Sequence, residues 1–113
     1  DSQATGSGLL CRVIDEPENT SERVKYSDTV VVNQRIILAD GSVIADTYKA
    51  GMPDTFSISE AIPGLQEGLQ LMPIGARYEF VIPPDLAWGK KGNGSKIGPN
   101  AVMQVDLRLI KVI

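Results

Sequence analysis

The sequence predicts an α+β domain in which a curved antiparallel β-sheet of about five strands wraps around one short α-helix. Several short runs alternate apolar and polar residues with the period of two that is typical of strands. Only one segment, AIPGLQEGLQLMPIG, places apolar residues at helical spacing. Hairpin turns and loops join the runs without βαβ alternation, and one short helix cannot cover both faces of a sheet. The sheet is therefore expected to curl around the helix.

The first two predicted strands differ in their relevance to function. LLCRVID alternates well enough for a short first strand, and the polar segment EPENTSER after it is typical of a loop. In TVVVNQRIIL, Gln34 interrupts a strand face that is otherwise apolar. Either Gln34 is hydrogen-bonded at an edge or bulge, or it lines a cavity. The face consists of Val30, Val32, Gln34, Ile36 and Leu38.

The middle of the chain is predicted to form a hairpin, a short strand and the helix. ADGS supplies an Asp-Gly turn and VIADTY resumes extended structure, so residues 28–48 are expected to form a β-hairpin, followed by the short strand TFSI. Pro63 suits the first turn of a helix, and Gly68 and Pro73 keep that helix short. The spacing i, i+4, i+7 predicts its buried face. That face consists of Leu65, Leu69 and Met72.

Two further strands complete the predicted sheet. RYEFVI and VMQVDLRLIKVI both alternate with a period of two, so each presents one apolar face to the core. Between them, PPDLAWGKKGNG contains the chain's only tryptophan, Trp88, in a segment where proline and glycine prevent regular structure. The inward-facing residues are Tyr78, Phe80 and Ile82 in the first strand and Met103, Val105, Leu107 and Leu109 in the second.

Length and composition limit the classes of protein. The 113 residues fit one domain, with residues 1–8 as a flexible linker that follows a signal or an upstream domain, and residues 9–113 as the folded domain. The net charge of -3 argues against nucleic-acid or anionic-lipid partners. No apolar run approaches the roughly 18 residues of a membrane-spanning helix, so no membrane insertion is expected.

The residue types also exclude most familiar catalytic sites. The chain has no histidine and one cysteine, Cys11, which rules out His-based triads, Cys/His dyads and nearly all zinc sites. The spacing of Asp40, Asp46 and Asp54 matches no EF-hand loop. GKKGNGSKIG lacks the Gly-Lys-Ser/Thr ending of a phosphate-binding loop and is expected to be a mobile surface loop. The sequence therefore predicts no metal and no cofactor.

The remaining functional candidate is an apolar cleft at the start of the helix. A helix that begins at Ile62-Pro63 presents unpaired backbone N–H groups at its first turn. The loop that carries Trp88 returns to the same sheet, so both features are expected to border one concave site. Such a site, apolar with a few backbone donors, is typical of small-ligand and peptide pockets.

Several long segments resemble the FKBP family of peptidyl-prolyl cis/trans isomerases, in its bacterial macrophage infectivity potentiator type. They are SDTVVV, LADGSVIADTYKAG, TFSISEAIPGLQEGLQLMPIGARYEFVIPPDLAWG and KIGPNAVMQVDLRLI, and they follow the family's order and spacing. TGSGLLCRVI resembles the strand that these bacterial members carry just before the domain. The resemblance implies rotation about X-Pro bonds in proline-containing polypeptides, a reaction that needs neither a nucleophile nor proton transfer.

The resemblance also implies the site residues. Ile62 stands where the family's helix-start isoleucine offers its backbone N–H to a substrate carbonyl, and Phe56 matches a pocket phenylalanine. Trp88 occupies the place of a tyrosine whose hydroxyl donates to the substrate, and an indole N–H also donates. Ile97 matches an apolar residue of the flap over the site, or else only packs its own loop. The implied substrate-pocket residues are Gln34, Ile44, Ala45, Ala61, Leu65, Ile97 and Val105.

Several of these positions depart from the family's usual residues. Gln34 replaces a tyrosine, and Leu65 replaces the tryptophan that lies beneath the proline ring. The pair Ile44-Ala45 replaces Phe-Asp, and Val105 replaces a phenylalanine. Asp46 lies one residue from the missing aspartate, but a one-residue shift on a strand turns a side chain to the opposite face.

These departures predict a wider, less rigid pocket. The first hypothesis is therefore a slow isomerase that binds macrolide ligands weakly. The alternatives are a peptide-binding or chaperone module without useful turnover, or a scaffold with a collapsed pocket. Bacterial relatives of this type often carry an N-terminal dimerisation segment and are exported. The resemblance thus favours the periplasm or cell envelope over the cytoplasm, and a dimer formed through a segment before residue 1.

Overall fold

The computed structural model describes residues 3–18, 22–94 and 97–113. In these ranges, seven strands form one antiparallel sheet in the order β1-β2-β6-β7-β3-β4, and β5 pairs with β3 as well. The predicted α+β class is confirmed, with one helix of nine residues, α2, packed on the sheet. The strands are β1 Gln3–Ala4, β2 Leu10–Asp15, β3 Thr29–Leu38, β4 Val43–Asp46, β5 Asp54–Ser57, β6 Arg77–Ile82 and β7 Met103–Val112, and the helices are α1 Thr47–Ala50 and α2 Pro63–Leu71.

The two ten-residue strands, β3 and β7, form the centre of the sheet. They pair along almost their whole length, with Gln34 opposite Leu107 and Ile36 opposite Val105. On the other side of β7, Phe80 of β6 also lies opposite Val105. The predicted alternation holds in all three strands, because their inward-facing residues are buried while most intervening ones are partly or fully exposed.

Helix α2 lies very close to β6 because two of its residues are glycines. Pro63 occupies the first turn, as predicted, and Leu65 and Leu69 face the core. A Cβ atom at Gly64 would lie 2.5 Å from the side chain of Ile82, and one at Gly68 would lie 2.8 Å from the ring of Phe80. These glycines therefore let the helix backbone rest directly on the side chains of β6.

The segment after β4 is helical, although the sequence analysis expected VIADTY to remain extended. Strand β4 ends at Asp46, and Thr47–Ala50 forms a single helical turn. The Asp46 carboxylate accepts a hydrogen bond from the Lys49 N–H at 3.0 Å, and Gly51 ends the turn at φ 73°. A side-chain cap of this kind competes with strand pairing, which explains the early end of the hairpin.

Residues 3–8, which the sequence analysis assigned to a flexible linker, fold back on the sheet edge. Gln3–Ala4 pairs with β2, and the Thr5 N–H donates to the Leu9 carbonyl at 2.8 Å. The Ser7 hydroxyl donates to the Glu67 carboxylate on α2. Residues 1 and 2 lie outside the described residues, and the boundary at residue 9 stays a prediction.

Polar side chains occupy the sheet face that points away from α2. Arg77 holds Asp106 through two hydrogen bonds of 2.8 and 2.6 Å, and the Tyr48 hydroxyl donates to the same carboxylate at 3.2 Å. Partly exposed ion pairs of this kind contribute at most about 1 kcal/mol each. None of the helices in the described ranges has the length and apolar character needed to cross a membrane.

The contact between α2 and β6 leads to a stability prediction. Gly68→Ala places a Cβ against the Phe80 ring, which is fully buried. We expect the free energy of unfolding to fall by about 1–3 kcal/mol because the overpacked ring must shift. At an exposed helix position, Gly→Ala raises the free energy of unfolding by about 1 kcal/mol. The sign of the change therefore shows whether the close packing or the helix propensity dominates at residue 68. Urea titration followed by circular dichroism measures it.

Gly98→Ala is the matched control, because a Cβ at Gly98 meets no atom within 4 Å. We expect its free energy of unfolding to stay within about 0.5 kcal/mol of the wild type. A Gly68→Ala protein as stable as the wild type would show that the close packing of α2 on β6 does not constrain the fold.

Candidate active site

A cavity of about 310 Å³ opens to solvent between the start of α2 and the sheet. Its volume lies at the lower end of the range for small-ligand sites. Most of its lining is apolar, and among the lining residues that the structure describes only Glu60 carries a charge. The lining residues are Gln34, Ile36, Ile44, Phe56, Glu60, Ala61, Ile62, Leu65, Trp88, Asn93, Ile97 and Met103.

The sheet and the helix supply the deep part of the cavity. Gln34 and Ile36 share one face of β3 because they are two residues apart, and both are buried. Met103 begins β7 opposite the last residue of β3. Leu65 extends from the first turn of α2, and Phe56 of β5 is only partly buried. The deep lining is thus largely aliphatic.

The start of α2 brings a backbone donor to the cavity. Ile62 caps the helix in an extended conformation, with φ -63° and ψ 154°, and its carbonyl accepts from the N–H groups of Leu65 and Gln66 at 3.0 Å each. Its own N–H donates to no group among the described residues. Ile62 is 9% exposed and lines the cavity. Because its N–H has no partner among the described residues, this N–H is available to a ligand carbonyl.

The loop between β6 and β7 forms the outer wall. Its backbone is held at both ends, since the Gly89 N–H donates to the Pro84 carbonyl and the Gly89 carbonyl accepts from the Asn100 N–H, each at 2.8 Å. Trp88 directly precedes Gly89, the residue that makes both hydrogen bonds, and is 40% exposed. Its indole N–H has no partner within the part of the chain that the structure describes.

Farther along the same loop, a narrow turn places Ile97 over the cavity. Asn93 and Ile97 exchange backbone hydrogen bonds of 2.8 and 3.3 Å. Gly92, at φ 69°, lies so close to them that a Cβ there would be 2.2 Å from the Ile97 carbonyl oxygen. Only glycine fits this approach, which explains one of the glycines in PPDLAWGKKGNG. Residues 95 and 96 lie outside the described residues.

Gln34 is hydrogen-bonded and also lines the cavity, so both interpretations of this residue describe part of its environment. Its Nε2 donates to Asp54 Oδ2 at 2.9 Å, and its backbone N–H donates to Thr47 Oγ1 at 2.8 Å. Asp46 is not part of this arrangement. Asp46 Oδ2 lies 3.3 Å from Arg35 Nε, and the Asp46 carboxylate caps α1. Asp46 therefore does not replace the aspartate that the family has at the position of Ala45.

Eight of the ten predicted site residues line this one cavity, and Ala45 and Val105 do not. Val105 is fully buried in the sheet between Ile36 and Phe80 and belongs to the hydrophobic core. Ala45 lies opposite Ile36 and packs against the same core. The sequence analysis missed four lining residues. They are Ile36, Glu60, Asn93 and Met103.

The described lining contains no arrangement for acid–base or nucleophilic catalysis. Glu60 has no second ionisable group among the described lining residues, and no cluster of metal-binding side chains occurs in residues 3–18, 22–94 and 97–113. Cys11 lies on β2 outside the cavity, and burial raises the pKa of its thiol, which disfavours the thiolate. The chemistry available is apolar contact combined with backbone and side-chain hydrogen bonds.

Comparison with known families identifies the fold. Residues 20–110 match the sequence profile of the FKBP-type peptidyl-prolyl cis-trans isomerase family. The chain belongs to the FKBP family. The FKBP region thus covers the entire cavity, and the resemblance of the quoted segments to this family is confirmed.

Individual FKBP proteins are similar along nearly the whole chain. Outer membrane protein MIP of Legionella longbeachae is 44% identical over 106 residues, which are 94% of this chain and 45% of that protein. The FKBP-type isomerase FkpA of Escherichia coli is 37% identical over 110 residues, or 97% of this chain and 40% of that protein. The chain therefore spans less than half the length of these relatives.

Solved FKBP structures have the same fold. The crystal structure of FkpA from Escherichia coli superposes with a TM-score of 0.90 at 37% identity, covering 98% of this chain and 51% of that one. A peptidyl-prolyl cis-trans isomerase from Pseudomonas syringae pv. tomato gives a TM-score of 0.88 at 28% identity, covering 98% and 80% of the two chains. The domain is thus an FKBP-type isomerase domain in both sequence and fold.

Proposed function

We propose that this FKBP domain catalyses cis/trans isomerisation of X-Pro bonds in polypeptides, with the proline ring in the cavity. The observation that carries the proposal is the free N–H of Ile62 at the edge of an apolar cavity whose size suits a small ring. The family and the two isomerase-named relatives support the same reaction.

The proposed mechanism uses solvation and positioning. A planar amide is stabilised by resonance, and the barrier to rotation of peptide bonds is about 18–20 kcal/mol. In water the planar form is well solvated, whereas an apolar cavity favours the twisted amide, which has lost conjugation and much of its dipole. The Ile62 N–H holds a substrate carbonyl while the bond turns. No lining residue needs to exchange a proton.

We also propose that the activity is low compared with that of aromatic-lined members of the family. Phe56 and Trp88 are the aromatic residues of the described lining, and Leu65 occupies the deep position beneath the ring. Aromatic side chains bury about 150–250 Å² each, so rings in the lining would give a ligand a large contact surface. For the same reason, macrolide ligands are proposed to bind weakly.

The second candidate function is a module that holds proline-containing or apolar segments without useful turnover. The observation that favours it is the aliphatic character of the open cavity, since Ile36, Ile44 and Met103 contact a ligand without fixing its orientation as flat rings do. A peptide that binds while its isomerisation rate stays at the uncatalysed value would establish this alternative.

The donor at residue 62 is tested with two variants, one that keeps the backbone N–H and one that removes it. Ile62→Pro and Ile62→Ala both lose the isoleucine side chain, but only proline also loses the N–H. The backbone accepts proline, because Ile62 has φ -63° and Ala61 is extended at φ -81° and ψ 165°. We expect kcat/KM in a protease-free NMR exchange assay to be about tenfold lower for Ile62→Pro than for Ile62→Ala.

Equal values of kcat/KM for the two variants would show that the N–H does not act. Rates equal to the uncatalysed blank for the wild type as well would overturn the isomerase proposal as a whole.

The effect of the aliphatic lining is tested by restoring a ring. Leu65→Trp should raise kcat/KM about three- to tenfold, because the indole adds a flat surface beneath the proline. Leu71→Trp is the control, since Leu71 is an exposed residue of the same helix outside the cavity, and its activity should match the wild type. An unchanged or lower rate for Leu65→Trp would show that the missing aromatic surface does not limit activity.

We propose a location in the cell envelope or periplasm, and a dimer formed outside this domain. The support is the name of the relative from Legionella longbeachae, outer membrane protein MIP, and the extra length of the relatives. Fractionation of cells that produce the full-length protein should place it in the periplasmic or membrane fraction, and sedimentation should give twice the monomer mass. Recovery in the cytosol as a monomer contradicts both statements.

A further inference from the structure

One residue of the cavity lining, Gln34, has a buried polar atom without a hydrogen-bond partner. Gln34 is 7% exposed, and its Oε1 accepts no hydrogen bond from any described residue. It is the only buried side-chain oxygen or nitrogen of the described ranges in this condition. Leaving a buried acceptor unpaired destabilises a protein by about 1–3 kcal/mol, so such an atom in a ligand cavity requires a functional explanation.

The orientation of the amide is fixed by its neighbour. Asp54 Oδ2 lies 2.9 Å from one end of the Gln34 amide, and an ionised carboxylate only accepts hydrogen bonds. The Nε2 group must therefore face Asp54, which leaves Oε1 at the other end. The backbone of Gln34 is held as well, because its N–H donates to Thr47 Oγ1. The unpaired end of this amide is therefore an acceptor, not a donor.

From this geometry we propose that Gln34 is a specificity-determining residue whose Oε1 accepts a hydrogen bond from a backbone N–H beside the bound proline. The proposal rests on the proposed X-Pro substrate. Proline has no N–H of its own, so the donor must come from a flanking residue. Oε1 has almost no accessible surface. The proposed contact therefore needs a small turn of the terminal amide that keeps Nε2 hydrogen-bonded to Asp54, and the broad minima of this torsion allow such a turn.

The consequence is discrimination between ligands of the same shape. A ligand with a correctly placed N–H satisfies the unpaired acceptor, whereas one without it leaves the acceptor buried and unpaired. The position would thus select the peptide register and conformation, in addition to the apolar contacts that bind the ring. A residue that only supports the fold would show no such preference.

An ester scan of one peptide tests the proposal. The probe is a five-residue peptide with a central proline, in which each backbone N–H is replaced in turn by an ester oxygen. Dissociation constants are measured by NMR titration, and isomerisation is followed on the same samples. We expect one ester analogue to bind the wild-type protein about three- to tenfold more weakly than the parent peptide.

Two variants identify the partner of that N–H. Gln34→Met has a similar length without a hydrogen-bonding amide, and should bind parent and ester analogue equally. Asp54→Asn offers both a donor and an acceptor to Gln34, so the amide is no longer held in one orientation and the preference should fall by at least half. Circular dichroism verifies folding, and the Asp54→Asn result decides the matter if Gln34→Met does not fold.

The outcomes separate the two proposals. A preference for the parent peptide that is the same in the wild type and both variants overturns the role of Gln34 while the isomerase function stands. Binding of no peptide in the series, with no isomerisation by the wild type, overturns both.

Discussion

The contact between α2 and β6 determines the geometry of the site. Gly64 and Gly68 let the helix backbone rest on Ile82 and Phe80, which fixes the distance between the helix and the sheet. At nine residues, α2 is short, and the cavity lies between its start and the sheet. Ile62 lines the cavity at this point, and its backbone N–H donates to no described residue. The site is thus a consequence of a short helix packed closely on a long sheet.

The lining fits a reaction that depends on solvation and positioning. Apolar side chains from the strands and the helix exclude water from the centre, while hydrogen-bonding groups lie at defined points around it. The Ile62 N–H is one such point, and the amide of Gln34, oriented by Asp54, is another. The described lining has two aromatic residues, Phe56 and Trp88, and its other apolar residues carry no ring.

The sequence was sufficient to predict most of the fold, because strand and helix periodicity follow directly from burial. The interruption at Gln34 also marked a cavity residue, since an amide on an apolar strand face is unusual. Side-chain capping by Asp46 was missed, as it opposes the extended pattern of its neighbours. Glu60 and Asn93 line the cavity from a turn and a loop. In such segments no periodicity of the sequence indicates which way a side chain points. Val105 was predicted as a pocket residue from the family resemblance, and in this structure it lies in the core beside the lining residue Ile36.

The most direct test of the central claim is the position of a bound proline ring. In a complex with an X-Pro peptide, intermolecular NOEs between the ring protons and the methyl groups of Leu65 and Ile97 report its location. The account predicts strong NOEs to both residues, together with a downfield shift of the Ile62 amide proton. Isomerisation in the absence of these NOEs, or a ring located outside the cavity, would contradict it.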